Sequence, residues 1–279
     1  MRTPEGEQKE QPDETGPIYA YCVGESAELV PLFGGELPDA IEPGSRLEPV
    51  IVDQLAAVVS SVPLADYGKE NLEARLEDPA WTAMRAIRHQ RVVEYFSARA
   101  SIVPLRFGVL YFHRDGVARM LSEKSVELLK LSERLRGRQE WGIGIYKDEA
   151  KLRDMIASVS PTLRDLDERA ATATPGEAYL LRKKIDSLRI TEARAEARRV
   201  VSSIETALRA SSESVLRLDI LKEETEGRRG MAARFAFLVD KRKFDHFRDE
   251  AERAANEYEP LGFQIELTGP YPAYNFAGL

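Results

Sequence analysis

Apolar residues in the first part of the chain fall into short runs and spaced stripes separated by turn residues. Ile18–Val23 is an uninterrupted run of β-formers closed by Gly24 and reads as a strand. Residues 25–33 read as a short helix, before a loop with Gly34, Gly35, Pro38, Pro43 and Gly44. Pro49–Val52 and Leu55–Ser60 flank Asp53-Gln54 and predict a tight hairpin. Lys69–Leu76 reads as a helix. Asp78 is then a candidate N-cap, with Pro79 at the first position of the next helix. In that helix Trp81, Met84, Ile87 or His89, Val92 and Phe96 recur at three- and four-residue steps, which predicts one buried stripe. Ile102–Phe112 returns to strand composition, so the order is β-α-β-β-α-β.

Residues 116–137 predict a single helix with Val117, Leu121, Val126, Leu128, Leu129 and Leu135 on its apolar face and Gly137 as its stop. The order then repeats. Glu140–Tyr146 alternates as a strand, and residues 148–212 are helical with restarts at Ser160-Pro161 and Thr174-Pro175-Gly176-Glu177. Strands follow at Ser214–Lys222 and Ala232–Val239, joined by a turn at residues 226–230. A helix at Lys241–Tyr258 and a strand at Gly262–Thr268 close the repeat.

This order used twice predicts an α+β chain of two ferredoxin-like domains, each an antiparallel sheet with helices on one face, plus a long helical insert. The expected divisions are a disordered acidic tail (1–16), an N-terminal domain (17–113), a connecting helix (114–137) and a C-terminal domain (138–279) carrying the insert at 148–212. A helix over Glu177–Ser212 would be about 50 Å long, more than such a sheet can cover. Part of it is therefore expected to project, packed as a hairpin on residues 161–172. Its bases, Arg194 and Arg198 among them, read first as a solvated face balanced by Asp186, Glu192 and Glu196. A partner-binding surface is the second reading.

Charge narrows the function classes. The 279 residues carry 47 acids and 40 bases, a net −7, which argues against a protein that coats nucleic acid or anionic lipid. No stretch reaches the roughly 18 apolar residues of a membrane span, and the polar N-terminus does not read as a signal peptide. One cysteine, Cys22, mid-strand, fits a core thiol in a reducing cytoplasm. His89, His113 and His246 lie in different elements without a second ligand at helical spacing, so neither a metal site nor a catalytic constellation is read. Gly142-Ile143-Gly144 lacks a third glycine and reads as a bulge or a close approach rather than a phosphate loop. Phe235 and Phe237, on one face of a strand, read as core.

Several stretches then align with a known family. They are Trp81, His89–Val93, Pro104-Leu105-Arg106-Phe107-Gly108, Glu140-Trp141-Gly142, Pro175–Leu180 with Lys183-Lys184, and the closing Gly269-Pro270-Tyr271-Pro272-Ala273-Tyr274-Asn275-Phe276. In this order they resemble the gas vesicle protein F/L family over residues 17–277. Ala273 stands where a second proline is common, and Gly144 where a lysine is common.

The resemblance implies a non-enzymatic accessory protein of gas vesicle assembly, without cofactors, located with the vesicle in the cytoplasm. Its implied partners are the small apolar shell protein and other gas vesicle accessory proteins, with no nucleic acid or membrane. Its implied role is to bind the shell protein, limit its aggregation and assist nucleation. Candidate partner-binding residues are Arg106, Phe107, Arg194, Arg198, Tyr271, Tyr274 and Phe276. Arg106 also fits a structural ion-pair or carbonyl-binding residue, and the last three also fit a tail that seals the domain interface. A ligand-sensing regulatory module of the same fold is the alternative.

Overall fold

The structure, a computed structural model, describes residues 16–220 and 229–278. The expected tail, apart from Gly16, lies outside those residues. So do the end of the strand expected to reach Lys222 and most of the turn at 226–230. Two compact units divide the chain, one running to Arg136 and one spanning Gly137–Phe276.

In the first unit β1 (Ile18–Glu25) leads through α1 (Ser26–Leu29) and a 3-10 turn to the hairpin β2 (Glu48–Val52) and β3 (Leu55–Ser61). Asp53 sits at φ 51° in the two-residue turn, a conformation Asp tolerates. The short helices α2 (Leu64–Tyr67) and α3 (Lys69–Leu76) precede α4 (Pro79–Ser97). The Asp78 carboxylate accepts from the N–H groups of Ala80 and Trp81 and starts α4. The sheet order is β2-β3-β1-β4, every pair antiparallel, which is the order of a split β-α-β unit.

Four expectations change in this unit. Strand 102–112 is two pieces, β4 (Ile102–Pro104) and β5 (Leu110–Tyr111). Both pair with β1, at Cys22–Gly24 and at Ile18–Tyr19, so they form one edge strand interrupted by a loop. On α4 the buried residues are His89, Val92, Val93 and Phe96, whereas Met84 and Ile87 are more than half exposed. The side chains reached by the sheet decide which face is buried, and the spacing of apolar residues does not.

The helix expected at 114–137 is also two, α5 (Arg114–Glu123) and α6 (Ser125–Leu135), broken at Lys124. They belong to the first unit, and they pack on β1, β2, β3 and β4. Tyr19 and Tyr21 turn toward His89 of α4. Ile18, Ala20 and Cys22 alternate with them and are equally buried, with Val117, Leu121 and Leu128 completing the core. Helices thus cover both faces of this sheet rather than one. That is why β1 is apolar without alternation. Arg136 joins the layers through carboxylates of Glu25 (2.5 Å), Glu28 and Glu133 (2.9 Å).

The second unit repeats the order with β6 (Arg138–Asp148), α7 (Glu149–Val159), α8 (Pro161–Thr172), α9 (Pro175–Ala210), β7 (Ser214–Leu218), β8 (Arg229–Asp240), α10 (Phe244–Tyr258) and β9 (Phe263–Tyr271). A short α11 (Tyr274–Ala277) follows. Sheet order β7-β8-β6-β9 matches that of the first unit. Trp141, Ile143 and Ile145 of β6 and Ala233, Phe235, Phe237 and Val239 of β8 form one inward face against α7, α9 and α10.

Helix starts in this unit follow their caps. Asp148 accepts from Ala150 and Lys151, and Ser160 from Leu163. Glu177 accepts from both the N–H and the hydroxyl of Thr174. Ser160 also donates to Glu192 at 2.7 Å, tying the start of α8 to α9. At Gly142 the pairing with β9 shifts register. A Cβ there would lie 2.6 Å from the Thr268 hydroxyl, so the glycine marks both a bulge and a close approach.

Candidate protein-binding loop and its supports

The interrupted edge strand presents residues 105–109 as a loop. Its base is fixed by backbone bonds from Leu105 N–H to the Tyr21 carbonyl (2.9 Å) and from Ala20 N–H to the Val109 carbonyl (3.0 Å). Gly108 sits at φ 91°, where a side chain would be strained. Its N–H donates to the Tyr19 hydroxyl at 2.9 Å. The Tyr19 hydroxyl hydrogen is then available to His89 Nδ1, also 2.9 Å away. His89 bonds the Leu105 backbone as well. A buried tyrosine–histidine pair therefore holds both ends of the loop from beneath. Phe107 rests on it, with ring centroids 6.3 Å from Tyr19 and 5.8 Å from His89.

Burial pushes the His89 imidazole down to about 4, against the opposing pull of its bond to the Leu105 backbone. The unfolded ring titrates near 6.5. As pH falls, the unfolded chain takes the proton first, so stability is unaffected above the unfolded pKa. It declines between about pH 6.5 and pH 4, by about 3 kcal/mol from this group. Urea titrations at pH 7.5 and 4.5 are expected to show that loss in the wild type. They should show about 3 kcal/mol less of it in His89→Gln, which keeps an amide donor and acceptor but does not titrate. Equal losses in the two proteins would refute the assignment.

Arg106 projects from the loop, exposed, and makes no ion pair or hydrogen bond among the described residues. Its structural reading, as an ion-pair or carbonyl-binding residue, therefore finds no support among the described residues. The neighbouring polar network is elsewhere: Glu42 accepts from Arg85 Nε (2.6 Å) and Nη2 (3.0 Å) and from the Tyr67 hydroxyl (2.5 Å). Burial, with Glu42 alongside, pushes the Tyr67 hydroxyl far above its usual range. Arg85 also lies 3.9 Å over the Trp81 ring. No local signal at residue 42 points to this network. For the loop, the two tyrosines in an apolar run at 19 and 21 were the available sign.

The remaining candidates separate. Arg194 and Arg198 are exposed on α9 without carboxylate partners among the described residues, while Arg199 pairs with Glu196 and Arg189 with Asp186 (3.8 Å). Tyr271 is partly exposed and Tyr274 half-buried. Phe276 is buried, with 4% of its surface exposed, and is corrected from a partner contact to a packed residue.

The closing motif is held by the opening strand of its own unit. Glu140 accepts from the backbone N–H (2.9 Å) and side-chain amide (2.5 Å) of Asn275. Burial raises the Glu140 carboxyl, and those two bonds oppose the rise. Gly269, at φ 127°, places its Cα where a Cβ would meet the Trp141 ring at 3.0 Å. The segments Glu140–Gly142 and Gly269–Phe276 are thus two halves of one contact. Cys22 is fully buried and its thiol is pushed up by that burial. Among the described residues no helix is long and apolar enough to cross a membrane, and no group of three metal-ligating side chains occurs.

Residues 17–278 match the model of the family described as "Gas vesicle synthesis protein GvpL/GvpF". Gas vesicle protein L of Streptomyces sp. (strain CB03234) is 28% identical over 88% of this chain and 85% of its own length. Gas vesicle protein F of the same strain is 25% identical over 92% and 98%. Among solved structures, gas vesicle protein GvpF from Anabaena sp. PCC7120 superposes with a TM-score of 0.66 at 18% identity, covering 95% of this chain and 99% of that one. GvpF from Microcystis aeruginosa gives 0.59 at 16% identity, covering 95% and 100%. The fold is therefore that of these GvpF structures, and the chain belongs to the GvpL/GvpF family of gas vesicle synthesis proteins.

Proposed function

We propose that this protein is a non-enzymatic, cytoplasmic assembly factor that binds the gas vesicle shell protein, limits its aggregation and assists its nucleation. Family membership supports a part in gas vesicle formation. The observation that carries the binding reading is the loop at 105–109. It holds an exposed Arg106, without a partner among the described residues, and a half-buried Phe107 on a base that costs little further ordering when a partner docks. An unassembled shell subunit exposes apolar surface and strand edges, and an aromatic–arginine pair is a common anchor for such surfaces.

Co-expression with tagged shell protein is the test. The wild type is expected to co-purify with it, and Arg106→Glu to lower recovery about tenfold, the equivalent of 1.4 kcal/mol, with an unchanged melting profile. Absence of any complex in the wild type, together with normal vesicles in a deletion strain, would sink the proposal.

A further inference from the structure

The second unit contains a cleft that neither the closing motif nor the loop accounts for. It opens where the end of β6, the first turns of α7 and the middle of α9 meet, with a volume of about 240 Å³. Its apolar lining is Leu152, Ile190 and Ala193. Leu152 and Ala193 are buried, but Ile190 is half exposed, at 50%, midway along α9.

Around that lining stand Lys147, Arg153 and Arg194, with Glu149 as the single acid. Lys147 bonds the Glu149 carboxylate at 2.6 Å. Arg153 bonds the Glu149 backbone carbonyl, at 3.3 Å, and Arg194 makes no hydrogen bond or close ion pair among the described residues. The Lys147 ammonium first, then Arg153 and Arg194, hold the Glu149 carboxyl below its usual range, so all three cations act on one point. The cleft therefore carries two positive charges more than it neutralises.

We propose that this cleft is a docking site for a protein segment in which an acidic side chain is flanked by aliphatic ones. The carboxylate would meet Arg194 and Arg153, and an aliphatic neighbour would cover Ile190. Charge complementarity selects the acid. The apolar lining selects a side chain over a free anion, because a phosphate would leave Ile190 in water. The cleft is smaller than the roughly 300–1,000 Å³ of small-molecule sites, which suits the side chains of a docked chain. This proposal does not depend on which protein supplies the segment, nor on the shell protein being the client of the loop at 105–109.

The test is a methyl NMR titration of the full chain, with the Ile190 δ-methyl assigned through Ile190→Val. The probes are a blocked pentapeptide alternating leucine and glutamate, its leucine–glutamine twin, and inorganic phosphate. The glutamate peptide is expected to shift the Ile190 methyl saturably. The glutamine twin, and the glutamate peptide with Arg194→Glu or Arg153→Glu, should bind about tenfold more weakly or not at all. Unchanged Ile143 and Ile145 methyls in the variants would show the fold intact. The proposal is overturned if Ile190 does not move, if the twin peptide binds equally, if both variants bind as the wild type does, or if phosphate alone reproduces the shift.

Discussion

Replacing Arg85 with alanine is expected to destabilise the first unit by about 3–5 kcal/mol, the usual consequence of leaving one member of a buried ion pair alone. Glu42 is 7% exposed, and Arg85 supplies two of the three hydrogen bonds its carboxylate accepts from the described residues. Without Arg85 the charge has only the Tyr67 hydroxyl. The stacking of the guanidinium on Trp81 is lost as well. Adding Glu42→Gln to Arg85→Ala should recover part of the loss, since no buried charge then remains. Urea unfolding in a Trp141→Phe background reads this directly, because Trp81 is then the sole tryptophan. A loss below about 1 kcal/mol would mean that water reaches Glu42 and replaces the arginine. Ile87→Ala on the same helix is the control, expected to stay within about 0.5 kcal/mol because the side chain is half exposed.

The second large effect is expected at Phe237. It has no exposed surface, lies on the central strand β8, pairs across to Trp141, and packs on Phe235 and Phe247 at ring separations of 6.0 and 5.3 Å. Phe237→Ala removes a ring from the middle of a strand that cannot collapse inward, because β6 and β7 hold it on both sides. A loss of about 3–5 kcal/mol follows, from transfer and cavity terms together. Phe237→Leu keeps most of the volume and should cost under about 1.5 kcal/mol if its neighbours repack. Trp141 fluorescence in a Trp81→Phe background reports on the second unit. Equal losses for the alanine and leucine variants would show that the aromatic shape matters and the cavity does not.

These residues also show which parts of the structure local sequence encodes. Phe235 and Phe237 were readable as core because two large apolar side chains two residues apart must share a strand face. The breaks in the helical insert were readable because Ser160-Pro161 and Thr174-Pro175 carry their caps beside their prolines. The buried face of α4 was readable only in its second half, where His89, Val92 and Phe96 lie inside. Met84 and Ile87 match the helical period, yet His89 is inside because Tyr19, seventy positions earlier, offers it a hydrogen bond. The edge strand over 102–112 looked continuous in composition. What interrupts it is the demand that Gly108 turn back to Tyr19, a contact between distant residues. Likewise, Glu140 and Asn275 both lie in quoted motifs, but nothing in either motif shows that they bond each other. For the candidate site, residue types were legible at Arg106, Phe107 and Arg194. Their surroundings were not, because Tyr19 lies against Phe107 from another strand, and Lys147 and Arg153 join Arg194 in the cleft from other elements.

The long helix α9 has one further geometrical consequence. Tyr179, near its start, and Ile190, in the cleft, are eleven residues apart. That is three turns and about 20°, so the two side chains lie on nearly the same line along the helix, about 16 Å apart. Lys183 and Asp186 fall between them on that line, both exposed. An extended peptide advances about 3.3 Å per residue, so five residues cover the distance. Because Ala178, Ile185 and Ala193 are buried on the face beside that line, the helix is braced and the spacing is fixed. A chain that covered both Tyr179 and Ile190 would therefore have to span about 16 Å, the reach of five extended residues or eleven helical ones.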